Sequence, residues 1–169
     1  MQVAEPEDHA LGRSRGGFST KAHLVCDGWG VLLATWVTAG QRHESKAFAE
    51  AMSRARRPRQ PGRPRWPRRA AGDKGYSYAA VRRWLRRHHI EPVIPTRKDQ
   101  VRDEGFDKAT YRRRNIVERV VGWFKWCRAL ATRYDKLAVN YLALWIIAEI
   151  QDLLRRYPEV LGVGLSETT

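Results

Sequence analysis

The chain has 169 residues, 43% of them apolar and seven of them tryptophan, enough for one domain with a buried core, short for two, and too apolar for wholesale disorder. Its net charge of +14 and pI near 10.6 point to a polyanionic partner, nucleic acid first and an anionic membrane surface second. Of the 32 basic residues 25 are arginine, whose planar fork grips phosphate at two points. Cys26 and Cys127 stand alone without CxxC spacing, which argues against a zinc site or a disulfide framework and for reduced thiols in a cytoplasmic protein. No run reaches the ~18 uncharged apolar residues that span a bilayer, and the start lacks the basic-then-apolar pattern of a signal peptide.

Taken in order, residues 1–15 are polar and without period, which predicts a flexible lead-in ending at Gly16-Gly17. Phe18 to Val37 is rich in Val, Leu, Thr and Trp and is split by Asp27-Gly28-Trp29-Gly30, which predicts strand, tight turn, strand. Ser45 can cap a helix over Lys46 to Arg54, with His43 in the cap region. From Arg54 through Arg69, both included, there are eight arginines, four prolines and no acid, so an exposed loop suited to phosphate backbones is expected. Arg63 and Arg65 are its candidate DNA contacts and Trp66 its candidate stacking ring. The small residues from Ala70 fit a short buried strand ending at Asp73. Ser77 can cap the next helix, where Val81, Trp84, Leu85 and His88 recur at i, i+3, i+4, i+7. His88 on that stripe reads as a packed or rim histidine. Glu91 to Pro95 reads as a second strand, completing a βαβ unit. Asp107 or Thr110 can cap a long helix through Tyr111 to Lys125. A second helix spans Leu137 to Arg155, with Leu142, Trp145, Ile146, Ile150 and Leu153 supplying core. Trp123 and Trp126 are also expected in the core, and a flexible tail is expected over residues 157–169.

The long helix carries the chemistry. At 3.6 residues per turn, Tyr111, Arg114, Glu118 and Lys125 share an arc roughly 60° wide. Ile116, Val120, Trp123, Phe124 and Cys127 fall near the opposite side. Glu118 is then either a partner for an arginine one turn away or a functional acid. Asp73, at a strand end where α/β sheets place ligands, is either a turn residue or cap, or a second such acid. Two carboxylates with substrate phosphate suit Mg²⁺, which takes hard oxygen ligands and keeps several waters. Lys125 could hold a phosphate as a point charge and Arg114 could clamp one bidentately.

These residues also carry a resemblance. Tyr111, Arg114, Glu118 and Lys125 reproduce Y-x2-R-x3-E-x6-K, the pattern around the last acid of bacterial insertion-sequence transposases of the DDE type. Ala71-Gly72-Asp73-Lys74-Gly75-Tyr76 resembles the segment that holds the second acid. Gly12 to Lys21 and Ala131 to Lys136 are similar to further stretches of the five-like branch of the insertion-sequence-four/five superfamily. The likeness runs from about Leu11 to Leu154.

It implies an RNase H-like α/β fold, a mixed sheet flanked by helices, with three acids on two Mg²⁺ (or Mn²⁺) ions. Asp73 and Glu118 would be the second and third acids, catalytic and metal-binding. Tyr111, Arg114 and Lys125 would bind DNA. The partners implied are the element's terminal inverted repeats and target DNA, with a homo-oligomer or a full-length transposase as protein partner, in the bacterial cytoplasm at the nucleoid. The chemistry would be strand cleavage followed by strand transfer.

In relatives the first acid lies on a strand upstream of the Gly-Gly-Phe-Ser-Thr-Lys hairpin. Asp8 has no strand pattern around it and Asp27 falls in the turn. The expectation is therefore a partial catalytic domain over residues 16–156, N-terminally truncated with its first strand missing, exposed sheet edges, and no activity alone. A nonenzymatic DNA-binding remnant, or an inhibitor of full-length transposase, is the alternative.

Overall fold

The computed structural model describes residues 5–14, 16–55 and 66–158. The segment 56–65, with Arg63 and Arg65, and residues 159–169 of the expected tail lie outside the described residues. The architecture is mixed α/β. A three-stranded antiparallel sheet is formed by β1 (Gly12–Ser14), β2 (Gly17–Cys26) and β3 (Leu32–Ala39), followed by helix α1 (Glu44–Arg54). A two-stranded parallel sheet of β4 (Arg69–Ala71) and β5 (Glu91–Val93) is joined by a 3-10 turn (Lys74–Tyr76) and helix α2 (Ala79–Arg87). The helices α3 (Lys108–Arg113), α4 (Asn115–Lys125), α5 (Arg128–Ala131) and α6 (Ala138–Arg156) follow. Parallel and antiparallel pairings are thus both present, but among the described residues they belong to two sheets and not to one mixed sheet.

The predicted hairpin forms because Asp27 builds its turn. Its Oδ1 accepts the N–H groups of Trp29 and Val31, each at 2.9 Å, and Gly30 takes the left-handed φ of +81° that a branched residue resists. A Cβ on Gly30 would stand 2.9 Å from Ile116 Cγ1, so the bare turn is what lets α4 rest on the hairpin. One core cluster joins Leu32 and Val37 to Val120, Phe124, Leu142 and Trp145. A second joins Met52 of α1 to Val81, Leu85, Ile90 and Ile94 of the βαβ unit. Leu24 and Cys26 pack on the first cluster and Val25 on the second, so the alternation of β2 serves both.

Several expectations are corrected. The lead-in is tied down over its described part: Ala10 is buried, and the Glu5 carboxylate accepts the N–H groups of Ala138 and Val139, each at 2.8 Å, capping α6. Desolvation pushes the Glu5 carboxyl up, but the bonds from Val139 and Ala138 together with the His9 side chain hold it below its ordinary range. The cap of α1 is His43, whose Nδ1 accepts from Ser45 N, because the helix begins one residue before Ser45. Ser77 does not cap α2; it is fully buried and its hydroxyl donates to Gln100 Oε1 at 2.7 Å. On α6, Leu142 and Trp145 are buried, but Ile146, Ile150 and Leu153 face outward on the side that no other element covers among the described residues. Trp126 is 87% exposed and Trp123 about half, while Trp145 alone of the three lies in the core. His88, as expected, is packed: it stacks on Trp84 at 3.9 Å between ring centroids.

Candidate active site and nucleic-acid interface

The helix with the four-residue pattern is not continuous. Arg114 ends α3 and starts α4, and the bonds Arg114 N to Tyr111 O and Val117 N to Arg114 O tighten the joint to three-residue spacing. Asp107 caps α3, its Oδ1 accepting Thr110 N at 2.9 Å. Thr110 also donates its hydroxyl to Oδ2, which leads the forces lowering the Asp107 carboxyl below its usual range. Arg69 of β4 pairs with this aspartate at 3.3 Å and ties the parallel sheet to α3.

Despite the joint, Tyr111, Arg114 and Glu118 are brought together. The Arg114 guanidinium lies 5.6 Å from the Tyr111 ring centroid and forms an ion pair with Glu118 Oε1 at 3.0 Å. Glu118 is more than half exposed, and Lys125 is exposed at the far end of α4. Such a pair is weak in water, so both groups stay open to a competing ligand. The buried side of α4 is narrower than predicted, consisting of Val120 and Phe124, while Cys127 is exposed.

Asp73 has different neighbours. The strand stops at Ala71, and Asp73 is the cap of the 3-10 turn, its Oδ1 accepting Gly75 N at 2.9 Å. Glu44, at the start of α1, reaches the same spot: a Cβ on Gly75 would stand 2.6 Å from Glu44 Oε2 and 2.9 Å from Asp73 Oδ1. Glycine at 75 leaves room for the two carboxylates to face each other. Their charge reaches Tyr76, whose phenol is pushed up to about 12, first by burial and then by Glu44 and Asp73. Lys21 of β2 holds Glu44 from the other side at 3.5 Å.

Beside this corner opens a cavity of about 590 Å³ whose walls include Lys21, His43, Lys74, Tyr78, Arg97 and Lys98. Of these, His43 lies in the expected cap region, and Lys21 and Lys74 lie in stretches that carry the resemblance. Glu44 follows His43 and carries no motif of its own. Tyr78 and Arg97 carried no signal, because only the fold brings them together. Trp66 is not free for a base: its ring packs edge-on against Trp84 at 5.3 Å and His88 at 4.8 Å, which places it in the second core cluster.

The transposase DDE domain family matches residues 2–150. The chain belongs to that family. No curated protein and no solved structure matches it. In a DDE transposase domain, acids that converge on metal are the expected centre. Asp73 and Glu118 have the right chemistry, hard carboxylate oxygens, yet among the described residues no three His, Cys, Asp or Glu side chains gather as a metal site. Asp73 sits with Glu44 and Glu118 sits with Arg114, so the described residues do not by themselves fit a pair of divalent ions. Among the described residues no helix is long and apolar enough to cross a membrane.

Proposed function

We propose that this chain is a DDE transposase of the five-like insertion-sequence branch that binds DNA by itself without cutting it. The observation that carries this reading is the separation of charge from chemistry. The chain is strongly basic, with a net charge of +14, while its described carboxylates gather no triad. Residues 16–156 are the catalytic domain of RNase H-like descent, with Asp73 and Glu118 its second and third acids. In the assembled enzyme these acids hold Mg²⁺ or Mn²⁺, Tyr111, Arg114 and Lys125 position the element's terminal repeats, and Arg63 and Arg65 follow the backbone. Assembly takes a further carboxylate, from a homo-oligomer or a full-length transposase, in the cytoplasm at the nucleoid. Strand cleavage and strand transfer are reactions of that assembly. Alone, the chain occupies element ends and competes with active transposase.

The test uses the purified chain and a duplex carrying the inverted repeats that flank its coding sequence. Binding is expected to weaken steeply between low and moderate salt, since each phosphate contact adds about 0.9 to the logarithmic slope. No nicking is expected with Mg²⁺. Affinity that stays flat with salt removes the DNA-binding reading. Nicking by the chain alone, abolished in Asp73→Ala, removes the claim of inactivity.

A further inference from the structure

We propose that the cavity beside Asp73 is a phosphate pocket for a nucleic-acid strand, with Lys74, Lys98, Arg97 and the Tyr78 hydroxyl as its donors. The assignment rests on the DNA-handling reading above and gives it a specific subsite. The first ground is charge. Lys21, Lys74, Arg97 and Lys98 line a cavity of about 590 Å³ against two acids, Glu44 and Asp99. Lys21 is engaged with Glu44 at 3.5 Å, and Arg97 Nε with Asp99 at 3.4 Å. Neither Lys74 nor Lys98 has a carboxylate partner among the described residues. The pocket is therefore cationic where it is open.

The second ground is the direction of the hydrogen bonds. His43 Nδ1 accepts the backbone N–H of Ser45 at 3.3 Å, so in the neutral ring the proton sits on Nε2. That nitrogen then donates to the Tyr78 oxygen at 2.7 Å, and Arg97 Nη1 donates to the same oxygen at 2.8 Å. With two donors on its oxygen, Tyr78 has its own O–H left to give, and it lines the cavity. The Tyr78 ring is fixed in place, edge-on to His43 at 4.8 Å with Arg97 over it at 5.2 Å. A set made of an ammonium pair, a guanidinium and an outward hydroxyl suits a ligand that only accepts and carries negative charge, which describes a phosphate group. The pocket shares Lys74 and Gly75 with the turn that Asp73 caps, so a phosphate held there lies beside the candidate acid.

Fluorescence anisotropy of the full chain with an element-end duplex, across a salt series, tests the assignment. Lys74→Gln with Lys98→Gln is expected to weaken binding about tenfold and lower the salt slope by about one, for one phosphate. Tyr78→Phe, which keeps the ring, is expected to cost about tenfold or more with the slope unchanged, as for one lost bond to a charged group. Arg128→Gln with Lys136→Gln, an equal loss of charge outside the cavity, is the control. Thermal melts of each variant establish that it is folded. If the cavity pair behaves as the control pair does, the pocket is overturned while DNA binding stands. If the unmodified chain shows no salt-dependent affinity, the functional reading fails and the pocket with it. Inorganic phosphate at matched ionic strength is expected to displace the duplex from the unmodified chain and not from the cavity pair; if phosphate binds the unmodified chain through Lys74 and Lys98 and leaves the duplex bound, the pocket takes free phosphate, and its assignment to a strand is overturned.

Discussion

Asp73 and Glu118 stand in two kinds of place. Glu118 lies on one helix, and its company, Arg114 and Tyr111, comes from the same short stretch of chain. Asp73 lies where separate segments converge: the start of α1 with His43 and Glu44, the turn after β4, and the loop with Arg97 and Lys98. The first place is exposed and held by a single ion pair. The second is half-buried, bonded on several sides, and charged enough to move a neighbouring phenol. A pattern with helical spacing marks a surface that the chain builds locally, whereas a polar corner built by tertiary folding leaves almost no linear trace.

The largest effect that separates the two places is on activity in the assembled transposase. Asp73→Asn and Glu118→Gln are each expected to lower strand cleavage by about a thousandfold, the scale seen when one preorganised charged contact is lost at a reacting centre. DNA affinity should change little in either variant. If Glu118→Gln retains full activity while Asp73→Asn does not, Glu118 is only the partner of Arg114 and the comparison reduces to one site.

Next in size is a contrast between resemblance and site. Ala131 to Lys136 counts among the stretches that resemble the transposase branch, yet its Arg133 has a structural task. The Arg133 guanidinium donates to the carbonyls of His9, Ala10, Asp135 and Lys136 and to the Thr20 hydroxyl, fastening the described N-terminal stretch, β2 and the entry to α6 together. Arg133→Ala leaves those acceptors to water or to nothing, and a loss of roughly 2–3 kcal/mol is expected in urea unfolding. A loss near zero would mean that the clamp does not hold the N-terminal stretch.

The hairpin, the βαβ unit, α6 and the α4 part of the preceding helix were legible in sequence because each obeys a local rule: an Asp-Gly turn, short apolar runs between prolines and glycines, and a 3.6-residue stripe. Ile146, Ile150 and Leu153 misled for the same reason, since periodicity says that a helix has an apolar face and not which neighbours cover it. The break at Arg114 was illegible because no glycine or proline marks it. The site was half legible. Asp73, Glu118 and their neighbours are named by motif, but Glu44, Tyr78 and Arg97 meet only through folding.

Tyr76 offers a spectroscopic handle on the corner. Its folded value of about 12 lies above the ordinary 10, so it contributes stability that is full below pH 10 and is lost as pH rises toward 12. Asp73→Asn removes one of the two nearby charges and should lower the value, though burial, the larger cause, keeps it above 10. Ultraviolet titration of phenolate absorbance checks this. A titration unchanged in Asp73→Asn would put the Asp73 charge too far away to matter and dissolve the corner as a charged unit.

The smallest expected effect is the one that makes the others interpretable. Glu118 is 57% exposed and its bond to Arg114 is a surface pair one helical turn apart. Two long side chains must be ordered to make such a pair while water competes for both ends, and the net gain is typically below about 1 kcal/mol. Glu118→Ala should therefore shift the urea midpoint by no more than about 0.5 kcal/mol in stability. With folding so little affected, any large loss of cleavage in a Glu118 variant is a loss of chemistry and not of structure. A shift above about 2 kcal/mol would place Glu118 among the scaffold residues with Arg133, and the helix would then resemble the corner in being held by more than its own turn.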